Sequence, residues 1–208
     1  MTILDPYKIE SRSFEIIREE VSPDKFSEIP DEMKDVVVRV IHSTADFDFV
    51  ETLKFSDDFH EKAVSALSNG CFILTDINMV KAGISKMYCD KFGIEKDSFI
   101  DSEQVKEYAK EHDISRSMSA MRLYGKKADN GLIVIGNAPT ALFETMSLIE
   151  KGEISPAAVV GVPVGFVGAA ESKEQLFNFN KVPFLTALGR KGGTPVAVAV
   201  VNALLRQL

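Results

Sequence analysis

A histidine closes a strongly amphipathic helical pattern, and an arginine precedes it by one turn. Arg39 and His42 are three residues apart and therefore share a face near the helix end. The negative end of the helix dipole favours a protonated imidazole, so this pair has the composition of a proton donor beside an anionic or basic ligand. A simpler interpretation has His42 satisfying open carbonyl groups while Arg39 pairs with Asp35. Local sequence alone favours the simpler one.

The helix that carries this pair is predicted from its apolar spacing. Pro30 fits a first helical position, and apolar residues then recur at i, i+3, i+4, i+7 and i+8 on one buried stripe. Similar patterns predict helices over 11–20 and 57–68, so the N-terminal part of the chain is expected to be helical. The stripe consists of Met33, Val36, Val37, Val40 and Ile41.

After residue 70, short apolar runs alternate with helical patterns. This alternation predicts right-handed crossovers and an α/β fold with a mostly parallel sheet. We expect five strands with helices on both faces. The predicted strands are 71–75, 97–101, 132–135, 157–160 and 183–187, and the predicted helices are 103–111, 115–126, 137–151 and 196–205.

Ligands of open parallel sheets bind outside the carboxyl ends of the strands. The segments expected at that edge are 76–79, 137–140, 161–168 and 189–195, which contain glycines that permit close backbone approach. The last segment could hold an anion through backbone N–H groups and two cations. No Walker A loop or dinucleotide fingerprint is present. Arg116, in a first helical turn where a cation opposes the dipole, also suggests ligand contact.

Length and composition limit the class of protein. A chain of 208 residues with 45% hydrophobic and 26% charged residues is expected to form one domain over 1–208. The net charge of −7 argues against a general nucleic-acid surface. No apolar run is long enough to cross a membrane and residues 1–6 show no signal pattern, so we expect a cytoplasmic protein. Cys71 and Cys89 have no metal or redox spacing.

His42 is the one obvious proton-transfer group that the sequence offers. His60 and His112 lie among acidic residues on predicted solvated helices. The chain shows no His/Cys/carboxylate cluster for a metal and no nucleophile elbow. The chemistry expected is therefore one that needs a single proton and the positioning of its ligand.

Four stretches of the chain, residues 11–17, 39–42, 135–142 and 161–173, are distinctive, and the last two are highly specific. In the same order, they resemble the precorrin-8X methylmutases, the precorrin isomerase family of cobalamin biosynthesis. The resemblance implies a flavodoxin-like sheet, a homodimer and no added cofactor. It implies that a methyl group migrates from C-11 to C-12 of a corrin macrocycle, formally a 1,5-sigmatropic shift.

The resemblance also implies roles for particular residues. His42 matches the family's catalytic histidine, which would protonate a ring nitrogen, and Ser13 and Arg39 match substrate contacts. Arg116 matches a family arginine in a similar context. Residues 43–48 are more similar to the cobalt-precorrin-8 enzymes, although whether the substrate carries cobalt stays open. The full predicted substrate-binding set is Ser13, Arg39, Thr44, Asp76, Met79, Arg116, Asn137, Thr140, Gly165, Gly168 and Arg190.

Three functions compete at this point. The first is the isomerase, favoured because a carrier needs cations and apolar walls but no proton donor such as His42. The second is a non-catalytic corrinoid carrier of a pathway intermediate. The third is an α/β enzyme that binds a phosphorylated ligand at residues 189–194.

Overall fold

The computed structural model describes residues 6–208, so residues 1–5, in which the sequence shows no signal pattern, lie outside the described part. The described chain forms twelve α-helices and six strands. The helices are α1 (Pro6–Glu20), α2 (Pro23–Ser27), α3 (Asp31–Thr44), α4 (Phe49–Thr52), α5 (Phe59–Ser68), α6 (Asn78–Gly83), α7 (Lys86–Phe92), α8 (Glu103–Glu111), α9 (Arg116–Tyr124), α10 (Pro139–Glu150), α11 (Ala169–Phe179) and α12 (Thr194–Leu205). The strands are β1 (Leu53–Phe55), β2 (Phe72–Thr75), β3 (Glu95–Asp97), β4 (Leu132–Ile135), β5 (Ala158–Gly161) and β6 (Phe184–Ala187).

The sheet has six strands rather than the five expected from the sequence. Their order is β1-β6-β5-β4-β2-β3, and all neighbours are parallel except β1, which runs antiparallel to β6. With three residues, β1 is too short for an alternating pattern to reveal it. The weak strand expected over 97–101 lies instead at 95–97. It carries charged residues because it forms an edge of the sheet.

Both faces of the sheet are covered by helices, as the sequence predicts. Alternate residues of the strands enter two separate apolar cores. One core, which includes Val134 and Val160, packs beneath α3, α5 and α12. The other, which includes Ile133 and Val159, packs beneath α10 and α11. None of the helices in residues 6–208 combines the length and apolar character needed to cross a membrane.

Helix α3 places His42 relative to the sheet. Its predicted apolar stripe is confirmed, since all five residues of the stripe are buried, and the helix packs along α12. The Gln207 side chain donates to the Glu32 carbonyl, so the start of α3 lies beside the end of α12. The two helices therefore run in opposite directions, and the C-terminal end of α3 points towards the start of α12, which follows β6. Ala45, with φ of 53°, ends the helix and donates to the Ile41 carbonyl.

The order of the parallel strands reverses between β2 and β4, and a buried carboxylate shapes the loop after β4. Asp76 directly follows β2 and is completely buried. Its carboxylate accepts hydrogen bonds from the backbone N–H groups of Gly136 (3.0 Å), Asn137 (2.8 Å) and Ala138 (2.7 Å). Burial raises the pKa of Asp76, and the three N–H donors oppose that effect. The interaction fixes the chain at the point where such sheets bind ligands.

Replacement of this carboxylate by an amide is expected to loosen the loop. Asp76→Asn puts an N–H₂ group against backbone N–H donors, so at least one buried donor loses its acceptor. The free energy of unfolding should fall by about 1–3 kcal/mol. Urea denaturation measures the change, with the exposed Asp57→Asn as the matched control. Equal stability of both variants would show that the bonds to Asp76 do not hold the loop.

Candidate active site

The imidazole of His42 is held on one side by helix α1. Its Nδ1 lies 2.9 Å from the Ser13 hydroxyl oxygen, and its ring meets the Phe14 ring edge-on at a centroid distance of 5.1 Å. Because Ser13 occupies Nδ1, Nε2 is the ring nitrogen left to face a ligand. The side chain is exposed. An imidazole oriented in this way can hand a proton to a bound molecule from a defined atom.

Arg39 belongs to the same cluster and does not pair with Asp35. Its guanidinium lies 4.8 Å from the centre of the Phe14 ring and donates to Glu10 at 3.1 Å. Asp35 instead accepts from Arg18 at 2.8 Å. The simpler interpretation, in which Arg39 forms an ion pair with Asp35, is therefore wrong about that pair. Phe14 contacts both the arginine and the histidine.

An ion-pair bridge ties the segment after His42 to the ligand-binding edge of the sheet. The Lys191 ammonium lies 2.6 Å from a carboxylate oxygen of both Asp46 and Asp48. The hydrogen bond from Lys191 lowers the pKa of Asp46, and the two aspartates raise the pKa of Lys191. Lys191 lies in the loop that follows β6, so the bridge places His42 at this edge of the sheet.

The loop that contains Lys191 is fixed to its surroundings by backbone and side-chain contacts. Gly193 N–H donates to the Val162 carbonyl at 2.7 Å, and a Cβ on Gly192 would lie 2.4 Å from the same oxygen. The ammonium of Lys173, on α11, donates to the Lys191 carbonyl at 2.5 Å. Burial lowers the pKa of Lys173 to about 8. These contacts occupy groups that a phosphate would need, which disfavours the phosphorylated-ligand hypothesis.

An exposed apolar turn lies next to this loop. Phe166 and Val167 are 84% and 89% exposed, the largest values among the large apolar side chains of the described residues. They stand between Gly165 and Gly168, which have φ of 151° and 77°. The Arg190 guanidinium lies 5.4 Å from the centre of the Phe166 ring, and no carboxylate within residues 6–208 pairs with it. The side chains of Phe166 and Arg190 thus protrude together at this edge of the sheet.

The loop after β4 completes the edge. A Cβ on Gly168 would lie 3.4 Å from Pro139, so this loop abuts the apolar turn. The Thr140 hydroxyl lies 2.8 Å from that of Ser115, the residue that caps α9. Asn137 is exposed. These contacts join the start of α9 to the same surface.

Arg116, in the first turn of α9, is paired rather than isolated. It donates to Asp101 at 3.3 Å, and the Asn78 amide donates to the second oxygen of that carboxylate at 2.5 Å. Both Arg116 and Asp101 are more than half exposed. The pair therefore lies where a ligand carboxylate can reach it.

The structure thus arranges the predicted residues in two linked groups and corrects the prediction for one residue, Asp76. Ser13, Arg39 and His42 lie together near the end of α3, and the Lys191 bridge links this end to the loop 189–193, which carries Arg190. Asp76 is buried with its oxygens occupied, so its predicted ligand contact is wrong and its effect is indirect. Thr44 bonds to the Val40 carbonyl at 2.9 Å. The residues that stay accessible at the sheet edge are Met79, Arg116, Asn137, Thr140, Gly165, Gly168 and Arg190.

Several residues that organise the site were not predicted in these roles from the sequence, and Lys191 was expected only as one of two anion-binding cations in the segment 189–195. Phe14 and Lys173 lie inside stretches on which the family resemblance rests, so position within those stretches was a usable signal. Glu10, Asp46 and Lys191 form ion pairs across more than 25 residues of chain. Local spacing carries no signal for such pairs.

The comparisons with known proteins agree over nearly the whole chain. A family model described as precorrin-8X methylmutase matches residues 8–207. The cobalt-precorrin-8 methylmutase of Priestia megaterium is 43% identical over 201 residues, which cover 97% of this chain and 88% of the relative. That of Salmonella typhimurium is 44% identical over 211 residues, which cover 99% and 97%.

A solved structure gives the same result in three dimensions. The precorrin-8x methyl mutase from Thermus thermophilus superposes with a TM-score of 0.87 at 33% identity, covering 96% of this chain and 95% of that one. The family match extends over the helices that hold His42 and over every loop of the sheet edge described above. By sequence and by fold, the chain belongs to the precorrin-8X methylmutase family.

Proposed function

We propose that the protein is an isomerase of cobalamin biosynthesis that moves a methyl group from C-11 to C-12 of a precorrin-8 macrocycle, giving cobyrinate or hydrogenobyrinate. The observation that carries this proposal is the orientation of His42, whose Nδ1 is occupied by Ser13 at 2.9 Å. The names of the relatives support the same activity.

His42 supplies the proton that the rearrangement requires. Protonation of a ring nitrogen by Nε2–H withdraws electrons from the conjugated system, and the C-11 methyl then migrates to C-12. Because substrate and product are isomers, the same imidazole recovers the proton after the migration. The edge-on contact with Phe14 and the bond to Ser13 keep the ring from rotating during both transfers.

The edge of the sheet has the two properties that a carboxylated macrocycle needs. Phe166 and Val167 offer apolar contact to a flat ring system, the Arg190 guanidinium lies 5.4 Å from the Phe166 ring, and Arg39 and Arg116 offer further cations on α3 and α9. In a chain of net charge −7, these arginines suit an acidic ligand. We assign Asn137 and Thr140 to the same ligand because they share this surface.

The family resemblance supports a proposal about the assembly, and the length and apolar patterning of the chain support proposals about its domain organisation and location. We propose a homodimer, one domain over 1–208 and a cytoplasmic location. The parallel strands of the sheet, numbered among themselves, have the order 2-1-3-4-5, which supports the flavodoxin-like description.

The cobalt-containing substrate is expected to be converted faster than the metal-free one. Both curated relatives described above carry the cobalt-precorrin-8 name. Purified protein would be incubated separately with cobalt-precorrin-8 and precorrin-8X, and kcat/KM would be obtained from the visible spectrum. Tight binding of either compound without conversion would identify a corrinoid carrier instead and contradict the proposed activity.

Loss of the imidazole is expected to slow the reaction strongly but not to prevent binding. His42→Asn should lower kcat by about 10²–10⁴-fold, the usual contribution of a general acid, while the affinity for the corrinoid product changes little. In the wild type, kcat/KM should fall as pH rises, because only the protonated imidazole can donate. The residual activity of His42→Asn should lack this dependence.

The matched control for this experiment is His60→Asn. His60 bonds to Gln207 at 2.8 Å, away from the Ser13–His42 cluster, and this variant should retain wild-type turnover. Near-wild-type turnover of His42→Asn, or a flat pH profile when chemistry limits the rate, would refute the role of His42 as proton donor.

Neutralising the arginines at the edge should weaken binding of the corrinoid product. Arg39→Gln, Arg116→Gln and Arg190→Gln are each expected to cost about 1–3 kcal/mol of binding free energy if each makes a charge-assisted hydrogen bond. Arg18→Gln, which breaks a surface pair with Asp35, is the matched control. Titrations at low and moderate salt measure the effect. Unchanged affinity in all three variants would place the carboxylate-binding surface elsewhere.

A further inference from the structure

We propose that Lys173 is a positioning residue, which acts on His42 through the loop 189–193 and the ion pairs of Lys191. This inference rests on the role proposed above for His42. It assigns a task to a charged side chain that is buried and so does not form part of the exposed surface at the sheet edge.

Lys173 is an unusual residue for the interior of a protein. It is 0% exposed and lies in α11, beneath the exposed apolar turn. Burial of an ammonium is unfavourable unless its charge is compensated by good hydrogen bonds. The contact that the structure gives it is the Lys191 carbonyl, at 2.5 Å. Its charge is therefore directed at the backbone of one loop.

That loop transmits the contact to the catalytic helix. The backbone of Lys191 is held by Lys173, and its side chain reaches outward to Asp46 and Asp48, each at 2.6 Å. Asp46 and Asp48 follow His42 by four and six residues, just beyond the left-handed Ala45 that ends α3. Lys191 thus links the buried ammonium of Lys173 to the segment that follows His42 along the chain.

The two lysines should affect different kinetic constants. Lys191→Met cuts the link to the segment after His42 but leaves the loop fixed by Lys173, so kcat should fall while KM changes little. Lys173→Met releases the loop itself, including Arg190, so kcat should fall and KM should rise. A misplaced catalytic group costs between about tenfold and a hundredfold in rate.

The test is a double-mutant cycle on these two positions, assayed with the corrinoid substrate. If Lys173 acts on kcat through Lys191, kcat of Lys173→Met/Lys191→Met should be no lower than that of Lys191→Met alone. Multiplicative losses would show independent structural damage and overturn the proposal, as would wild-type kcat for Lys191→Met. Lys191→Arg, which can still pair with both aspartates, should restore activity.

Two further variants keep the result unambiguous. Lys96→Met is the matched control, because Lys96 also donates to backbone carbonyls, at Lys81 and Ile84, but lies on the opposite edge strand β3; its kcat should stay near wild type. Should Lys173→Met not fold, Lys173→Gln replaces it in the cycle, since the amide keeps a donor but no charge.

Failure of this inference is separable from failure of the proposed function. His42→Asn is assayed in parallel. An active His42→Asn would refute the role of His42, whereas an inactive His42→Asn together with multiplicative losses at Lys173 and Lys191 would refute only the positioning role.

Discussion

The apolar contact between α3 and α12 is the constraint on which the position of His42 depends. The stripe from Met33 to Ile41 is buried against α12, and α12 in turn begins directly after the loop that follows β6. A helix fixed along its length can place its last turn accurately even though that turn is exposed. The energy that orients the histidine is therefore mostly hydrophobic, and the polar contacts of Ser13 and Phe14 select the rotation of the ring.

Buried charges fix the loops that hydrophobic packing cannot. Asp76 binds three backbone N–H groups after β4, and Lys173 binds a carbonyl after β6, so a carboxylate and an ammonium hold two separate loops of the same edge. Each charged side chain makes hydrogen bonds with backbone groups of a loop. These groups have no partner in a sheet or a helix. Loops held in this way can keep glycines at positive φ and still present their outer surface to a ligand.

The sequence predicted the elements with a clear apolar period, but it missed α6, α7 and α11 and the contacts that depend on distant pairing. The stripe of α3 and the parallel strands β2, β4, β5 and β6 followed from apolar spacing, and the edge of the sheet followed from their direction. Strand β1 was missed because its three residues acquire their identity from pairing with β6, more than 130 residues away. Asp76 was placed in the right loop but with the wrong role, because burial of a carboxylate is not visible in spacing.

In the proposed site, an acidic ligand has to compete with the protein's own carboxylates for two of the three arginines. Arg39 is paired with Glu10 and Arg116 with Asp101, so each cation already has a carboxylate partner. A ligand carboxylate that approaches either arginine takes the place of a protein carboxylate instead of meeting a bare charge. Each arginine has therefore lost part of its hydration before the ligand binds, and the displaced protein carboxylate moves into water. Arg190, beside the exposed Phe166, has no such competitor among the described residues, and a ligand carboxylate there gains its full interaction.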